Sequence, residues 1–95
     1  MPLHESRKDV SKETMDLERA RMSLREELEA IDWYSERIDA TDDETLKMIL
    51  AHNRAEEKEH AAMLYQWICE NDPEQGEEAE KLQGRSIAEV IESED

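Results

Sequence analysis

The chain has 95 residues, of which 27 are Asp or Glu and 12 are Lys or Arg, so its formal charge is −15 at pH 7. Hydrophobic residues make up 37% of the sequence and Phe is absent, so a lone chain of this size would have a thin hydrophobic core. The negative charge argues against nucleic acid and anionic membranes as partners, because like charges repel. We therefore expect one domain, spanning residues 1–95, that completes its core by association.

Two further features concern the cellular compartment. The sequence contains no stretch near the roughly 20 apolar residues of a membrane span, and residues 1–10 lack the apolar run of a signal peptide. Cys69 is the single cysteine, so it cannot form an intrachain disulfide and fits a reducing compartment. The sequence therefore predicts a cytoplasmic protein with no membrane partner.

Two long helices are predicted, because residues 11–40 and 42–70 contain neither Gly nor Pro. Thr41 and Glu44 match a capping box at the start of the second helix. Each helix would be about 42–45 Å long at 1.5 Å per residue. The short link between them requires an antiparallel hairpin, so the fold class is all-α.

The C-terminal part is predicted to be shorter and looser. Pro73 ends the second helix, because proline disfavours a helical residue before it. A short third helix is expected over residues 74–82, before Gly84. Residues 1–10 and 84–95 are expected to be flexible, apart from one helical turn after Ser86.

Apolar residues on each predicted helix fall on one stripe, which we expect to be buried, because a helix turns about 100° per residue. On the first helix the stripe contains Leu17, Ala20, Leu24, Leu28, Ile31 and Ile38. On the second helix it contains Leu46, Ile49, Leu50, Leu64, Trp67 and Ile68. Polar residues interrupt the stripes near the middle of both helices: Glu27 on the first, and Asn53, Glu57 and His60 on the second. Because the hairpin is antiparallel, we expect Glu27, Glu57 and His60 to converge.

The converging residues match one half of a known type of metal site. Glu57 and His60 form a Glu-x-x-His pattern, whose spacing puts both side chains on one helix face. A carboxylate on a buried face costs several kcal/mol unless it is paired or bound to a metal. Di-iron sites in four-helix bundles use one Glu from each of two helices and a Glu-x-x-His from each of the other two. A two-fold homodimer would therefore complete both site and bundle, whereas the alternative is a polar cluster satisfied by its own contacts.

Two runs of sequence resemble the encapsulated ferritin family: EELEAIDWY at residues 26–34 and AHNRAEEKEHAAM at residues 51–63. The resemblance implies a hairpin that dimerises into a ferritin-like four-helix bundle, with dimers assembled into a ring-shaped decamer. It also implies a ferroxidase that oxidises Fe(II) to Fe(III) with dioxygen, for iron storage or detoxification, at a site across the dimer interface. The ligands would be Glu27, Glu57 and His60 of both subunits, which hold two iron ions per dimer.

The ligand chemistry leaves the metal and the function open. Zn, Mn or Ca are expected substitutes for iron at such ligands, and the Irving–Williams order places Zn above Fe(II). A non-catalytic, divalent-metal-binding helical oligomer is therefore the alternative function. The resemblance makes Glu26 and Glu29 candidate secondary metal positions near the outer approach to the site, with solvation as the alternative. Tyr34, on the face of Glu27, is a candidate for hydrogen-bonding a ligand, with plain packing as the alternative.

Other features have a simpler interpretation. His52 and Glu56 are expected to form a solvated helical pair rather than a surface metal site. A second apolar stripe on the first helix fits contacts between neighbouring dimers and contains Met15, Met22 and Trp33. The resemblance implies an encapsulin shell as a partner and a location inside an encapsulin nanocompartment. Residues 83–95, however, lack the small-residue-plus-leucine signal expected of a shell-docking peptide, so docking stays open.

Overall fold

Four α-helices account for most of residues 4–94, which are the residues described by this computed structural model. A 3₁₀ turn, Arg7–Asp9, precedes α1 (Lys12–Ala40), α2 (Glu44–Asn71), α3 (Pro73–Leu82) and α4 (Ile87–Ser93). Helices α1 and α2 pack together as an antiparallel hairpin, and α3 packs on α2. No strand occurs in residues 4–94, so the predicted all-α class is confirmed. None of the helices in this range is long and apolar enough to span a membrane.

The turn between α1 and α2 differs from the predicted capping box. Asp43 is the N-cap of α2, and its Oδ1 accepts a hydrogen bond from the backbone N–H of Leu46 at 2.9 Å. Thr41 instead follows the last residue of α1, and its hydroxyl accepts from the backbone N–H of Asp43 at 3.2 Å. Asp43 is the better cap because it directly precedes the first helical residue, and its negative charge is favourable at a helix N-terminus.

Asp72 joins three helices. It separates α2 from α3, and its Oδ1 caps α3 by accepting from the backbone N–H of Gln75 at 3.2 Å. Its Oδ2 accepts from Nη2 of Arg21, on α1, at 2.7 Å. Pro73 is the first residue of α3, where a missing N–H costs nothing. The third helix therefore begins at a fixed point beside the hairpin.

Helix α3 lies very close to α2 at Gly76. A Cβ atom added there would be 2.5 Å from the carbonyl oxygen of Cys69, so no larger residue fits without moving α3. The neighbouring Gln75 donates a long hydrogen bond, 3.5 Å, to the hydroxyl of Tyr65. The pKa of Tyr65 is raised above its ordinary value, chiefly by its hydrogen bond with Cys69 and, to a smaller extent, by burial. Glycine at position 76 is thus required for the packing of α3.

The C-terminal segment contains a helix that is longer than the single turn predicted. Ser86 caps α4 by accepting from the backbone N–H of Glu89 at 3.1 Å. Gly84 has a φ of +72°, a conformation that favours glycine, and separates α4 from α3. Ile87 and Ile91 are largely exposed on α4. Residues 1–3 and 95, parts of the segments expected to be flexible, lie outside the described residues.

The hairpin has very little hydrophobic core of its own. Among residues 4–94 the buried hydrophobic side chains are Ala20 and Ile68. The apolar stripes that we expected to be buried are only partly covered in one chain: Leu28 is 51% exposed, Ile49 is 53% exposed and Trp67 is 38% exposed. One chain therefore leaves part of each stripe for an assembly to cover, because two helices can cover only one side of each other. The uncovered apolar surface is of the kind that marks an interaction site.

Candidate metal centre

The structure brings Glu27, Glu57 and His60 together between the middles of α1 and α2. Each residue offers one ligand atom, and these atoms all lie within 4.8 Å of one another. Nδ1 of His60 is 3.5 Å from Oε2 of Glu27 and 3.7 Å from Oε2 of Glu57. Both distances exceed the range of about 2.7–3.2 Å for a hydrogen bond from nitrogen to oxygen. The three groups therefore converge without satisfying one another.

Helix register explains why these side chains meet. Glu57 and His60 are one turn apart on α2, and Glu27 faces them from α1. A cross-link close to the site fixes the relative position of the two helices: Arg54 donates to the hydroxyl of Ser35 at 3.0 Å, and that hydroxyl donates to the carbonyl of Ile31 at 2.8 Å. Sequence reasoning did not identify Ser35 or Arg54, because neither breaks the hydrophobic pattern.

The carboxylates of the cluster have no Lys or Arg partner among the described residues. No Lys or Arg in residues 4–94 forms an ion pair with Glu27 or Glu57. Arg54 lies three residues before Glu57 but donates to Ser35 instead. Oε2 of Glu27 is buried and has no hydrogen-bond partner in residues 4–94. An unsatisfied buried acceptor costs roughly 1–3 kcal/mol, so this oxygen is suited to binding a cation.

The site is open on one side. The side chains of Glu27 and Glu57 are each 23% exposed, whereas that of His60 is 44% exposed. Ile49, Met63 and Trp67 are exposed and lie within about 60° of His60 around the axis of α2, at 100° per residue. The open side of the site is therefore continuous with an apolar surface that a second protein molecule can cover.

The donor set indicates which ions fit. Carboxylate oxygen and imidazole nitrogen together suit Fe, Mn and Zn. One chain provides three donors, and the di-iron carboxylate sites of four-helix bundles use twice this set. Within residues 4–94 no other group of three or more His, Cys, Asp or Glu side chains comes as close together. The cluster thus has donors that suit a metal, and one chain offers half of the donor set of such a two-metal site.

The other candidate residues lie outside this cluster. Glu26 and Glu29 are exposed on α1 and do not join it. Tyr34 is half-buried, and the Arg37 guanidinium lies 5.8 Å from the centre of its ring, which fits packing more directly than contact with a ligand.

Two other predicted features lie on the outer surfaces of the helices. Nε2 of His52 is 2.7 Å from Oε1 of Glu56, and both side chains are more than half exposed, as expected of a solvated pair. In the second apolar stripe, Met15 and Met22 are half-buried while Trp33 is 49% exposed. Contact between this stripe and a neighbouring dimer stays a prediction.

Comparison with known proteins places the cluster in a family context. Residues 2–84 match the EncFtn-like family model, and this range includes Glu27, Glu57 and His60. The chain is 54% identical over 69 residues to an encapsulated ferritin-like protein of Rhodospirillum rubrum, which covers 73% of this chain and 49% of that protein. It is 46% identical over 61 residues to an encapsulin nanocompartment cargo protein of Myxococcus xanthus, which covers 64% of this chain and 47% of that protein. The chain therefore matches about half the length of these curated relatives.

A solved structure shows the same architecture. A crystal structure of a protein from Nitrosomonas europaea superposes with a TM-score of 0.82 at 49% sequence identity. The superposition covers 90% of this chain and 94% of the Nitrosomonas chain. The similarity thus extends through nearly the whole length of both molecules.

Proposed function

This chain belongs to the EncFtn-like family, and from the geometry of its site we propose that it is a ferroxidase, which oxidises Fe(II) to Fe(III) with dioxygen. The proposal depends chiefly on one observation: the buried Oε2 of Glu27, which has no hydrogen-bond partner among the described residues, lies beside Glu57 and His60. Iron is the substrate, and Glu27, Glu57 and His60 are its ligands. The resemblance of the sequence to encapsulated ferritins, and the names of the relatives, support an iron-related role.

The active site of this ferroxidase is shared between two copies of the chain. One hairpin supplies three donors and leaves the flank of His60 uncovered. A two-fold partner doubles the donors to the set that two iron ions need in a four-helix bundle. The partner also covers the apolar surface that includes Ile49 and Trp67. Dimerisation therefore completes the core and the site together.

The residues act on iron by holding and orienting it. Carboxylates are hard ligands that favour Fe(III) over Fe(II), so Glu27 and Glu57 stabilise the oxidised product more than the substrate. Two Fe(II) ions held at one site each give one electron to the same dioxygen molecule, which is thereby reduced to the level of peroxide without release of superoxide. The imidazole of His60 is a neutral ligand, so it binds the metal without adding negative charge.

The oxidation of iron by this protein serves iron storage or detoxification. One relative is named an encapsulated ferritin-like protein and another an encapsulin nanocompartment cargo protein. These names support a location within an encapsulin nanocompartment in the cytoplasm. The ring-shaped assembly of dimers, a decamer, is proposed from the resemblance of the sequence to encapsulated ferritins. An open ring has no closed interior for a mineral core, which supports storage inside such a shell.

Dioxygen consumption tests the proposal. The protein is loaded with Fe(II) under anaerobic conditions and then exposed to air, while dissolved oxygen and the absorbance of Fe(III) are followed. The wild-type chain is expected to consume oxygen faster than the same Fe(II) in buffer. Metal binding without faster oxygen consumption would instead identify a non-catalytic metal-binding oligomer, in which Zn, Mn or Ca occupies the same ligands.

A further inference from the structure

Asn53 is a polar residue on the apolar stripe of α2 that the proposed site does not use. It lies four residues before Glu57, so the two side chains are neighbours on one helix face, with Cβ atoms about 6 Å apart. The stripe around it contains Leu46, Leu50 and Leu64. For packing alone, leucine would be the better residue here, because a buried amide without a partner costs roughly 1–3 kcal/mol.

The amide of Asn53 is free to act as a donor. Asn53 is half-buried, and its side chain forms no hydrogen bond with any residue in the range 4–94. The carboxylate of Glu57 likewise receives no hydrogen bond from the described residues, and its Oε2 lies 3.7 Å from Nδ1 of His60. A free donor and a free acceptor therefore lie one helical turn apart on the surface that a partner chain would cover.

The side-chain amide of Asn53 is uncharged, which matters beside a metal site. A basic residue paired with Glu57 would offset the negative charge that attracts a cation. Arg54, one turn before Glu57 on α2, donates instead to the hydroxyl of Ser35. A primary amide can orient a carboxylate without offsetting its charge. Metal-ligating carboxylates are generally held by such hydrogen bonds, and loss of the donor typically costs 10–100-fold in metal affinity.

We infer that Asn53 is a positioning residue: in the assembled, metal-bound protein its side-chain N–H donates a hydrogen bond, which the single chain does not form, to the Glu57 carboxylate and orients the other carboxylate oxygen toward the metal. This inference rests on the proposed function, since it requires Glu57 to be a metal ligand. It adds one residue to the three that the sequence and the structure already identify. The donor acts through Glu57 and does not contact the metal.

The inference is tested by titrating the 95-residue chain with Co(II). Co(II) binds such ligands but, unlike Fe(II), is not readily oxidised by air. Affinity is measured by calorimetry, and the visible absorption of Co(II) reports its coordination. Asn53→Leu is expected to weaken Co(II) binding 10–100-fold and to change the spectrum, while the melting temperature of the metal-free protein rises. Asn53→Asp, which keeps the size and loses the donor, is expected to change the spectrum of a folded assembly. Gln66→Leu removes an exposed amide elsewhere on α2 and should match the wild type.

The outcomes separate the inference from the function on which it rests. If Asn53→Leu and Asn53→Asp bind Co(II) with wild-type affinity and spectrum while Glu57→Ala abolishes binding, Asn53 has no positioning role and the metal centre stands. If the wild type binds no Co(II), or Glu57→Ala binds it normally, the metal centre and the role of Asn53 both fail. If Asn53→Leu binds Co(II) more weakly and also melts at a lower temperature, its weaker binding could come from lost stability. Asn53→Asp then decides between the two explanations, and a wild-type Co(II) spectrum in that variant would overturn the inference.

Discussion

Nδ1 of His60 lies 3.5 Å from Oε2 of Glu27, although the two residues belong to different helices of the hairpin. That oxygen is buried and receives no hydrogen bond from the part of the chain that the structure describes, so the approach of the imidazole leaves it unsatisfied. The pair therefore lies at a separation suited to a shared cation, and a partner chain would supply the remaining ligands. The predictions below follow from this arrangement.

The protein is expected to be an oligomer in solution. Leu28, Ile49 and Trp67 are exposed in one hairpin. When a second copy covers these residues, less apolar surface is in contact with water, which favours association. Sedimentation velocity at micromolar concentration should show species of at least twice the 11.2 kDa of the chain. A folded monomer, with and without metal, would count against a site shared between chains.

Metal binding and assembly are expected to be coupled. Without metal, dimerisation brings four carboxylates together, and their mutual repulsion opposes the association of the chains. A divalent ion reverses this effect and stabilises only the assembled state. Saturating Fe(II), Zn or Ca should therefore shift the sedimentation profile to larger species and raise the melting temperature. If neither quantity changes, the site does not lie at an interface.

Substitution of each ligand should remove most iron oxidation without loss of helix. Glu27→Ala, Glu57→Ala and His60→Ala each delete two ligands from a two-fold dimer. Helix content, measured by circular dichroism, should stay close to that of the wild type. In the metal-free state the Glu27→Ala protein should melt at a higher temperature, because the substitution removes a buried carboxylate oxygen that receives no hydrogen bond from the described residues.

His52→Ala and Glu56→Ala are the matched controls for these variants. Both residues lie on the same helix near Glu57 and form an exposed pair outside the cluster. Each control should oxidise iron at close to the wild-type rate. If the controls lose iron oxidation while the Glu57 and His60 variants retain it, the wrong helix face has been assigned.

Gly76→Ala is expected to detach α3 from the hairpin. The added Cβ atom would lie 2.5 Å from the carbonyl oxygen of Cys69, and backbone at that position cannot move aside easily. Amide hydrogen exchange should become faster in residues 73–82, while α1 is protected as before. Glu77→Ala, at an exposed neighbouring position, should leave the exchange rates unchanged. If the amides of α3 exchange as slowly in Gly76→Ala as in the wild type, the close approach at position 76 is not needed to hold α3 on α2.

Much of this architecture can be predicted from sequence because it depends on local pattern. The positions of Glu27, Glu57 and His60 follow from helix periodicity and an antiparallel turn, and the structure brings their side chains together. Their role as metal ligands stays a prediction. The helix limits differ from the predicted ones by one or two residues, since several polar residues near a turn compete to cap a helix.

The remaining contacts depend on residues far apart in the chain. The ion pair of Arg21 with Asp72 joins α1 to α3, and no pattern in the sequence distinguishes it from the many other acid–base pairs of this charged chain. The contact of Gly76 with Cys69 likewise appears only when α3 is placed on α2. The sequence pattern does not tell which stripe residues one chain leaves exposed, because the apolar stripe describes what an assembly buries, and Ile49 and Trp67 are among those left exposed.

X-ray diffraction from crystals loaded anaerobically with Fe(II), with anomalous data at the iron absorption edge, tests the central claim most directly. The account predicts two anomalous peaks between two copies of the chain, each within bonding distance of Glu27, Glu57 or His60 side chains from both copies. Iron bound by one chain alone, or held at His52 and Glu56 with the Glu27 cluster empty, would contradict it.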